Sequence, residues 1–489
     1  MTTPLERRLA AIAAAPDGPQ VGAFFDYDGT VITGYSAQTF YKHRILTGDL
    51  GPIELARTAL MSAQGIESAE EFAAFLELSL GAWKGRPLPE IEALGDRLFK
   101  HEIAGRLHTE VWEIVRAHKA KGHTLALASS ATRFQVDPMA RELDVDHVLC
   151  TPVEVVDGII TGRTSGPPLW ADGKARAVRE LAAQEDLDLD ASFAYSNGGE
   201  DIEFLQTCGN PVAVSPHKVL RAHAELEGWP ILDCVPRGGT LPSVGELVRT
   251  AGFYGAFATA FGAGLGLAAL NRKRDTLLDI TGGVGSDLGL SIAGIDVDVV
   301  RGHEHLWSAR PCVFVFNHQS KLDPILVMKL LRGGFTGVAK KEAKNVPGFG
   351  QLFQLAGVAF VERGNTEQAK AAMQPAVDKV REEGVSLVIA PEGTRSATPR
   401  LGRFKKGPFH IAMQAEVPMV PIVIRNAGEV MWRGAQMLRP GTVEIVVLPP
   451  VDTSTWAVET IDDHVEEVRG MFVETLEDWP RNGLLELDR

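Results

Sequence analysis

Pro311-Cys312-Val313-Phe314-Val315-Phe316-Asn317-His318-Gln319-Ser320-Lys321-Leu322-Asp323-Pro324 changes character midway along its length. Pro311 to Phe316 is an apolar run of strand length. Asp323 before Pro324 is a helix N-cap followed by proline at the first helical position. A strand therefore feeds a helix, and His318 stands where the strand leaves the sheet. Working outward, Val358–Val361, Ser386–Ala390, Met419–Ile424 and Val443–Leu448 are strand-like, and Glu367–Glu383 reads as an intervening helix. Glu459–Trp479 predicts a surface helix. Alternating strands and helices argue for an α/β sheet over residues 301–489.

The N-terminal half, residues 1–235, repeats the pattern. Val21–Phe25, Thr124–Ala128 and Ala191–Tyr195 predict strands of a doubly wound, Rossmann-like parallel sheet. The Ala-, Leu- and Glu-rich helical stretch between the first two, about 33–118, predicts a cap over the sheet edge. Residues 236–250 open on a Pro-, Gly- and Ser-rich stretch, Pro236 to Ser243, and predict a linker. Ala251–Leu270 then runs twenty residues without a charge, the length of a membrane span, with Arg272-Lys273-Arg274 at its end. Thr276–Val300 carries Asp279, Asp287, Asp296 and Asp298, too polar for a second crossing. Residues 251–300 therefore predict a membrane-associated helical hairpin, with a buried helix of a soluble protein as the alternative.

The formal charge of -14 over 489 residues argues against nucleic acid as a partner. Residues 272–440 hold 23 Lys and Arg against 16 Asp and Glu, leaving -21 for the rest. A basic C-terminal module suits anionic substrates or an anionic membrane face. Four cysteines without a CxxC pair predict a reducing, cytoplasmic setting and no zinc or disulfide framework. The first fifteen residues lack a long apolar core, so no secretory signal is expected there.

An alcohol is a poor nucleophile at neutral pH and needs a general base, a role histidine suits. Asp323, five residues after His318, reads either as the imidazole's orienting partner or as a plain N-cap. In Pro391-Glu392-Gly393-Thr394-Arg395, Gly393 permits close backbone approach, Arg395 can grip a phosphate, and Glu392 can hold Arg395 or a substrate hydroxyl. Arg363 follows a strand and offers a second cation. Together these strings resemble the four ordered motifs of the glycerolipid acyltransferases. Asn317-His318 to Asp323 is similar to NHxxxxD; Gly357–Arg363, Pro391–Ser396 and Val417–Ile422 resemble the second to fourth blocks. The third block is similar to that of the PlsC-like 1-acylglycerol-3-phosphate branch. The resemblance implies acyl transfer to lysophosphatidate, giving phosphatidate. His318 is the base, Asp323 its partner, and Arg363, Glu392, Gly393, Thr394 and Arg395 form the phosphate site. Acyl-CoA or acyl carrier protein is the donor. It further implies a membrane-associated protein, in contact with membrane lipids, with its catalytic domains on the cytoplasmic side.

Asp26-Tyr27-Asp28-Gly29-Thr30 opens the other half. Asp26, ending a strand, can attack phosphorus; Asp28 can serve as acid and base; oxygen ligands suit Mg²⁺. Ser129 and Lys174 follow in order, then Tyr195-Ser196-Asn197-Gly198-Gly199-Glu200-Asp201. This order resembles the haloacid-dehalogenase-like phosphatases, specifically the phosphoserine-phosphatase-like group with a helical cap. The resemblance implies Asp26 and Asp28 as catalytic, Ser129 and Lys174 as phosphoryl-binding, and Asp26, Asp28, Asn197 and Asp201 around Mg²⁺. Asn197 stands where that group has an acid. The expectation is weakened metal binding and a slow phosphatase. Two further readings of the whole chain stand beside this one: a phosphoserine-type phosphomonoesterase as the main activity, or an N-terminal domain that is a non-catalytic scaffold.

Overall fold

The computed structural model divides the chain into two compact units between residues 240 and 241. The structure describes residues 3–49, 68–237, 242–345, 349–355, 357–361 and 366–480.

The N-terminal unit is built on a six-stranded sheet of order β3-β2-β1-β6-β7-β8, with every pairing parallel. Its strands are β1 (Gly22–Phe25), β2 (Thr124–Thr132), β3 (His147–Thr151), β6 (Phe193–Ser196), β7 (Asn210–Val214) and β8 (Ile231–Leu232). β1 and β6 are buried along their whole length, as expected for a sheet covered on both faces. Phe24, Ala126, Ala194 and Ala213 pack under Val178, Phe204 and Leu220 on one side. Phe25, Phe193, Tyr195 and His118 stack on one another in a second group. The strand order reverses about β1, so the carboxyl end of β1 is the topological switch point where such sheets place ligands.

The cap differs from expectation in two ways. Thr109–Ala120 is not part of it: Val111, Ile114 and Val115 are fully buried, and His118 bonds the Tyr195 hydroxyl on β6. That helix covers the sheet. Instead the cap gains an antiparallel hairpin, β4 (Val153–Val156) and β5 (Ile159–Thr164), which bonds the chain near Gly85 and Leu88. Residues 50–67 of the expected cap lie outside the described residues.

The C-terminal unit holds a seven-stranded sheet of order β12-β11-β13-β10-β14-β15-β9. The strands are β9 (Ile295–Arg301), β10 (Val313–Phe316), β11 (Phe335–Lys340), β12 (Ala359–Val361), β13 (Ser386–Ile389), β14 (Met419–Ile424) and β15 (Gly441–Val447). Only the β14–β15 pairing is antiparallel. β10 lies between β13 and β14, with Val315 opposite Ile389 and Phe316 opposite Ile422. The motif residues that follow β10 and β13 therefore emerge side by side.

Two boundaries move. The linker does not reach residue 250, because a helix begins at Val244 behind a Ser243–Glu246 capping box. Glu246 pairs with Arg439 at 3.0 Å and the Thr250 hydroxyl accepts from Leu438 N, fixing this helix to its own unit. It runs to Asn271, turns at Arg272 and Lys273, and returns through Arg274–Ala293. Phe253 and Phe257 meet Leu290 and Ala293 across the pair. The second arm ends there and not at residue 300. Ile295–Arg301 is strand β9, parallel to β15, so the acyltransferase-like sheet begins before residue 301. Among the described residues, Val244–Asn271 is one helix long and apolar enough to cross a membrane by length and composition.

Candidate active sites

At the carboxyl end of β10, His318 and Asp323 meet. His318 Nδ1 lies 2.8 Å from Asp323 Oδ2, and Asp323 is fully buried. The same oxygen accepts from Gln319 N at 2.7 Å and Ser320 N at 2.8 Å. Asp323 begins the helix Asp323–Leu331, yet its carboxylate caps none of that helix's own amides. Three donors converge on Oδ2 from one side, so that oxygen acts as the acceptor and the imidazole proton lies on Nδ1. His318 Nε2 then carries the lone pair. It makes no hydrogen bond among the described residues, and His318 lines a cavity of about 1500 Å³.

Glu392 binds the two motifs together. Its Oε1 accepts from His318 N at 2.7 Å; its Oε2 accepts from Ser396 Oγ at 2.6 Å and Gly402 N at 2.9 Å. Ser396 N in turn donates to the His318 carbonyl at 2.7 Å. Burial pushes the Glu392 carboxyl above its ordinary range, and these donors oppose the shift. Both oxygens are engaged by the protein, so Glu392 holds neither Arg395 nor an open hydrogen-bonding face for substrate. Asn317, which sequence reasoning passed over, staples β10 to β14: it donates to the Ile424 carbonyl and accepts from Ile424 N. Its place in NHxxxxD was the available signal.

Gly393 has φ of +66° and the Lys405 side chain lies 3.0 Å from where a Cβ would sit, so any larger residue is both strained and crowded. Thr394 is exposed and lines the cavity with Gly393 and Arg395. Arg395 is half-buried, and its guanidinium has no hydrogen-bond or ion-pair partner among the described residues. Burial lowers its pKa, with Asp323 opposing. Lys321 and Arg433 are lowered by burial too, and by the charge of Arg395 beside them. Arg433 donates to the Arg395 carbonyl at 2.7 Å. Arg395 with Lys321 and Arg433 beside it, none of them ion-paired with a carboxylate among the described residues, make a site for an anion. Arg433 belongs to none of the four blocks and was not legible in advance. Arg363 and Glu362 lie outside the described residues. Lys406 pairs with Asp462 at 2.7 Å on the surface. Phe253, Leu322, Ile325, Met328 and Leu438 supply an apolar wall, and Asp275, Asp279, Glu342 and Glu383 also border the cavity.

In the N-terminal unit, Phe25 pairs with Leu127 and Tyr195, which brings Asp26, Ser129 and Asn197 to one edge. Lys174 Nζ bridges Asp26 Oδ1 at 2.6 Å and Asp201 Oδ2 at 2.7 Å, all three buried. Burial works against the ammonium, but Asp201 and Asp26 together hold its pKa above the ordinary value. Burial pushes Asp26 up to about 7, with Lys174 opposing and Asp201 reinforcing. Burial likewise pushes Asp28 up to about 6. Asp28 directs its carboxylate at Ser36, accepting from N at 2.6 Å and Oγ at 3.1 Å. Ser129 lies inside β2, which continues to Thr132, and its Oγ accepts from Ala131 N, leaving the hydroxyl proton to donate. Gly29, at φ of +84°, gives its missing Cβ space to the Asn197 carboxamide.

These residues fit a hard divalent cation. Asp26 Oδ2 and Asn197 Oδ1 share one donor, the Thr30 hydroxyl, at 3.0 and 3.2 Å. A hydroxyl proton serves only one of them. Asp201 Oδ1 is buried without a hydrogen-bond partner among the described residues. Under-satisfied oxygens beside a carboxyl raised by burial are what an Mg²⁺ ion relieves. Asp28's carboxylate is turned to Ser36 and does not join this set.

Comparison with known proteins divides the chain in the same place. Residues 23–206 match the haloacid dehalogenase-like hydrolase family and residues 299–425 the acyltransferase family. A 1-acyl-sn-glycerol-3-phosphate acyltransferase of Limnanthes alba is 35% identical over 203 residues, covering 42% of this chain and 71% of the plant protein. Phosphoserine phosphatase SerB1 of Mycobacterium tuberculosis is 33% identical over 235 residues, covering 46% of this chain and 76% of that protein. The crystal structure of PlsC from Thermotoga maritima is 27% identical, covers 48% of this chain and 98% of that one, and superposes with a TM-score of 0.41. The chain belongs, through its C-terminal half, to the 1-acyl-sn-glycerol-3-phosphate acyltransferases and, through its N-terminal half, to the haloacid dehalogenase-like hydrolases of the phosphoserine phosphatase group.

Proposed function

We propose that the C-terminal unit transfers an acyl group from a thioester, acyl-CoA or acyl carrier protein, to the free hydroxyl of 1-acylglycerol-3-phosphate. The observation that carries this is the His318–Asp323 pair facing a large, partly apolar cavity lined also by Lys321 and by Arg395, whose guanidinium has no partner among the described residues. His318 Nε2 takes the hydroxyl proton as the oxygen attacks the thioester carbon. Asp323 steadies the imidazolium that results. Collapse of the tetrahedral centre expels the thiolate, to which the imidazolium returns the proton. Arg395, with Arg433 and Lys321, holds the phosphate, while Glu392 and Asn317 keep the two motif loops in register. The apolar walls accept the acyl chain.

The exposed apolar side chains of the long helix, Leu247, Tyr254, Leu265, Leu267 and Leu270, together with Leu288 and Ile292 on the returning arm, suit a lipid surface. The hairpin would lie in the membrane with its basic turn at the headgroups and both units on the cytoplasmic side. This would bring the cavity to the lysophosphatidate. Replacing Arg395 with Ala is expected to raise KM for lysophosphatidate by roughly 10- to 100-fold, the worth of a charge-assisted contact. Initial rates against lysophosphatidate in detergent check it; an unchanged KM contradicts the phosphate role.

We propose that the N-terminal unit hydrolyses a phosphomonoester. Asp26 attacks phosphorus, Asp28 protonates the leaving oxygen and then activates water, and Lys174 and Ser129 hold the phosphoryl oxygens. Asp26, Asn197 and Asp201 would hold Mg²⁺, which when bound offsets the charge of the transferring phosphoryl group. The neutral Asn197 weakens that hold. Asn197→Asp is expected to lower the Mg²⁺ concentration for half-maximal phosphate release by roughly 10-fold, since ligand charge tunes such sites. A phosphate-release titration in Mg²⁺ with both proteins decides it. An equal requirement in both contradicts the assignment of Asn197.

A further inference from the structure

Away from the Asp26 cluster, the N-terminal unit gathers three ligand-type atoms of different elements. A nitrogen of His108, a carboxylate oxygen of Glu110 and Cys234 Sγ all lie within 4.8 Å of one another. His108 and Glu110 flank the start of the helix Thr109–Ala120, and Cys234 lies just after β8. We propose that His108, Glu110 and Cys234 form a zinc site that fastens the segment after β8 to this helix.

Two ligand-type atoms of these residues are orphaned. His108 Nδ1 and Glu110 Oε2 are buried and have no hydrogen-bond partner among the described residues. His108 is only 3% exposed. Leaving such groups unsatisfied is costly, and a cation removes that cost. The other ring nitrogen is engaged: His108 Nε2 lies 3.4 Å from Thr33 Oγ1. The tautomer the site requires has its proton on Nε2, directed at Thr33, and the lone pair on Nδ1, the arrangement that second-shell partners of ligating histidines enforce. Glu110 keeps Oε1 on Val235 N at 3.1 Å, so Oε2 is the oxygen left over.

Sulfur with nitrogen and carboxylate oxygen suits Zn²⁺ better than Mg²⁺ or Ca²⁺. Three atoms this close share a point no more than about 2.8 Å from each, against zinc bonds of about 2.0–2.3 Å, so small side-chain rotations close the site. On binding, the Cys234 S–H bond breaks, an S–Zn bond forms, and the proton leaves to solvent. Arg237, whose guanidinium donates to Thr109 Oγ1, and whose N–H donates to Thr33 Oγ1 at 2.8 Å, is the neighbouring cation that balances the added thiolate and carboxylate. Thr33 lies between Asp28 and Ser36, so the site also braces the loop that carries Asp28.

Metal-stripped full-length protein titrated with Co²⁺ tests this. The expected result is one equivalent of Co²⁺ with a thiolate-to-cobalt charge-transfer band in the near ultraviolet, erased by Zn²⁺. Cobalt at the oxygen-only Asp26 cluster gives no such band. Cys234→Ser should abolish the band while far-ultraviolet circular dichroism stays unchanged, and Thr33→Val should weaken the affinity by roughly 10-fold through the second shell. No charge-transfer band in the folded wild-type protein, or an equal band in Cys234→Ser, overturns the proposal.

Discussion

Asp323→Asn should lower turnover of acyl transfer by roughly 10³-fold, within the range seen when the orienting carboxylate of a catalytic triad is neutralised. The KM for lysophosphatidate should stay within about 2-fold, because the phosphate site is made by other residues. Asp323 Oδ2 accepts three hydrogen bonds, two from the backbone of Gln319 and Ser320 and one from His318. In the amide, the carbonyl oxygen must take that place, since an NH₂ group there would face two N–H donors. The imidazole stays oriented and the fold is kept, but the negative charge is gone when His318 becomes positive. The loss therefore falls on kcat. Asp323→Ala should behave differently. It leaves two buried backbone N–H groups without an acceptor, at about 1–3 kcal/mol each, and should lower the melting temperature as well. Steady-state kinetics and thermal melts of the two variants separate charge from scaffold. An Asn variant with full turnover would show that the carboxylate is only structural.

Asp26→Asn should remove phosphate release, by roughly 10⁴-fold or more, as loss of a covalent nucleophile does. Acyl transfer by the same protein should persist. The amide keeps the space and the Thr30 contact, and Lys174 retains Asp201. What disappears is the nucleophile itself. The pH profile adds an independent check. Burial pushes Asp26 up to about 7. Below that value it is protonated and unable to attack, whereas Asp28, pushed up to about 6, loses above that value the proton it must donate, so hydrolysis by the wild type should show a rising limb set by Asp26 and a falling limb set by Asp28, with its maximum between about 6 and 7. Mg²⁺ stabilises the Asp26 carboxylate and should move the rising limb to lower pH. Phosphate release across pH with and without Mg²⁺ reads this directly. Unaltered phosphate release in Asp26→Asn would remove the nucleophile assignment. A wild type without any hydrolysis would favour the scaffold reading of this unit.

The motifs were legible because strand-end chemistry is local. His318, Asp323 and Gly393 sit within a few residues of the apolar runs that carry them, and sequence spacing becomes spatial proximity across one turn. The positions brought together by sheet order were harder. Nothing local in Met431-Trp432-Arg433-Gly434 says that Arg433 reaches the Arg395 carbonyl. Glu392 looked like a substrate ligand because the three donors that occupy it arrive from separate segments. Strand β9 was overlooked although Ile295, Val297 and Val299 alternate with Asp296 and Asp298, the period of a half-buried strand. The hydrophobic helix before it drew the second arm of the hairpin on to residue 300, past its end at Ala293. The β4–β5 hairpin likewise had its signal, Asp157-Gly158 between two β-rich runs, and both residues adopt positive φ. The cap boundary failed for a different reason: composition marks Thr109–Ala120 as helical, and only its buried face shows that it covers the sheet.

The most direct measurement is phosphatidate formation from lysophosphatidate and acyl-CoA by the detergent-solubilised full-length protein, with His318→Ala beside it. The geometry predicts product from the wild type and a loss of roughly 10²- to 10⁴-fold in the variant, the usual worth of a general base. Equal rates in the two proteins, or no product from folded wild type with either acyl-CoA or acyl carrier protein, would contradict it.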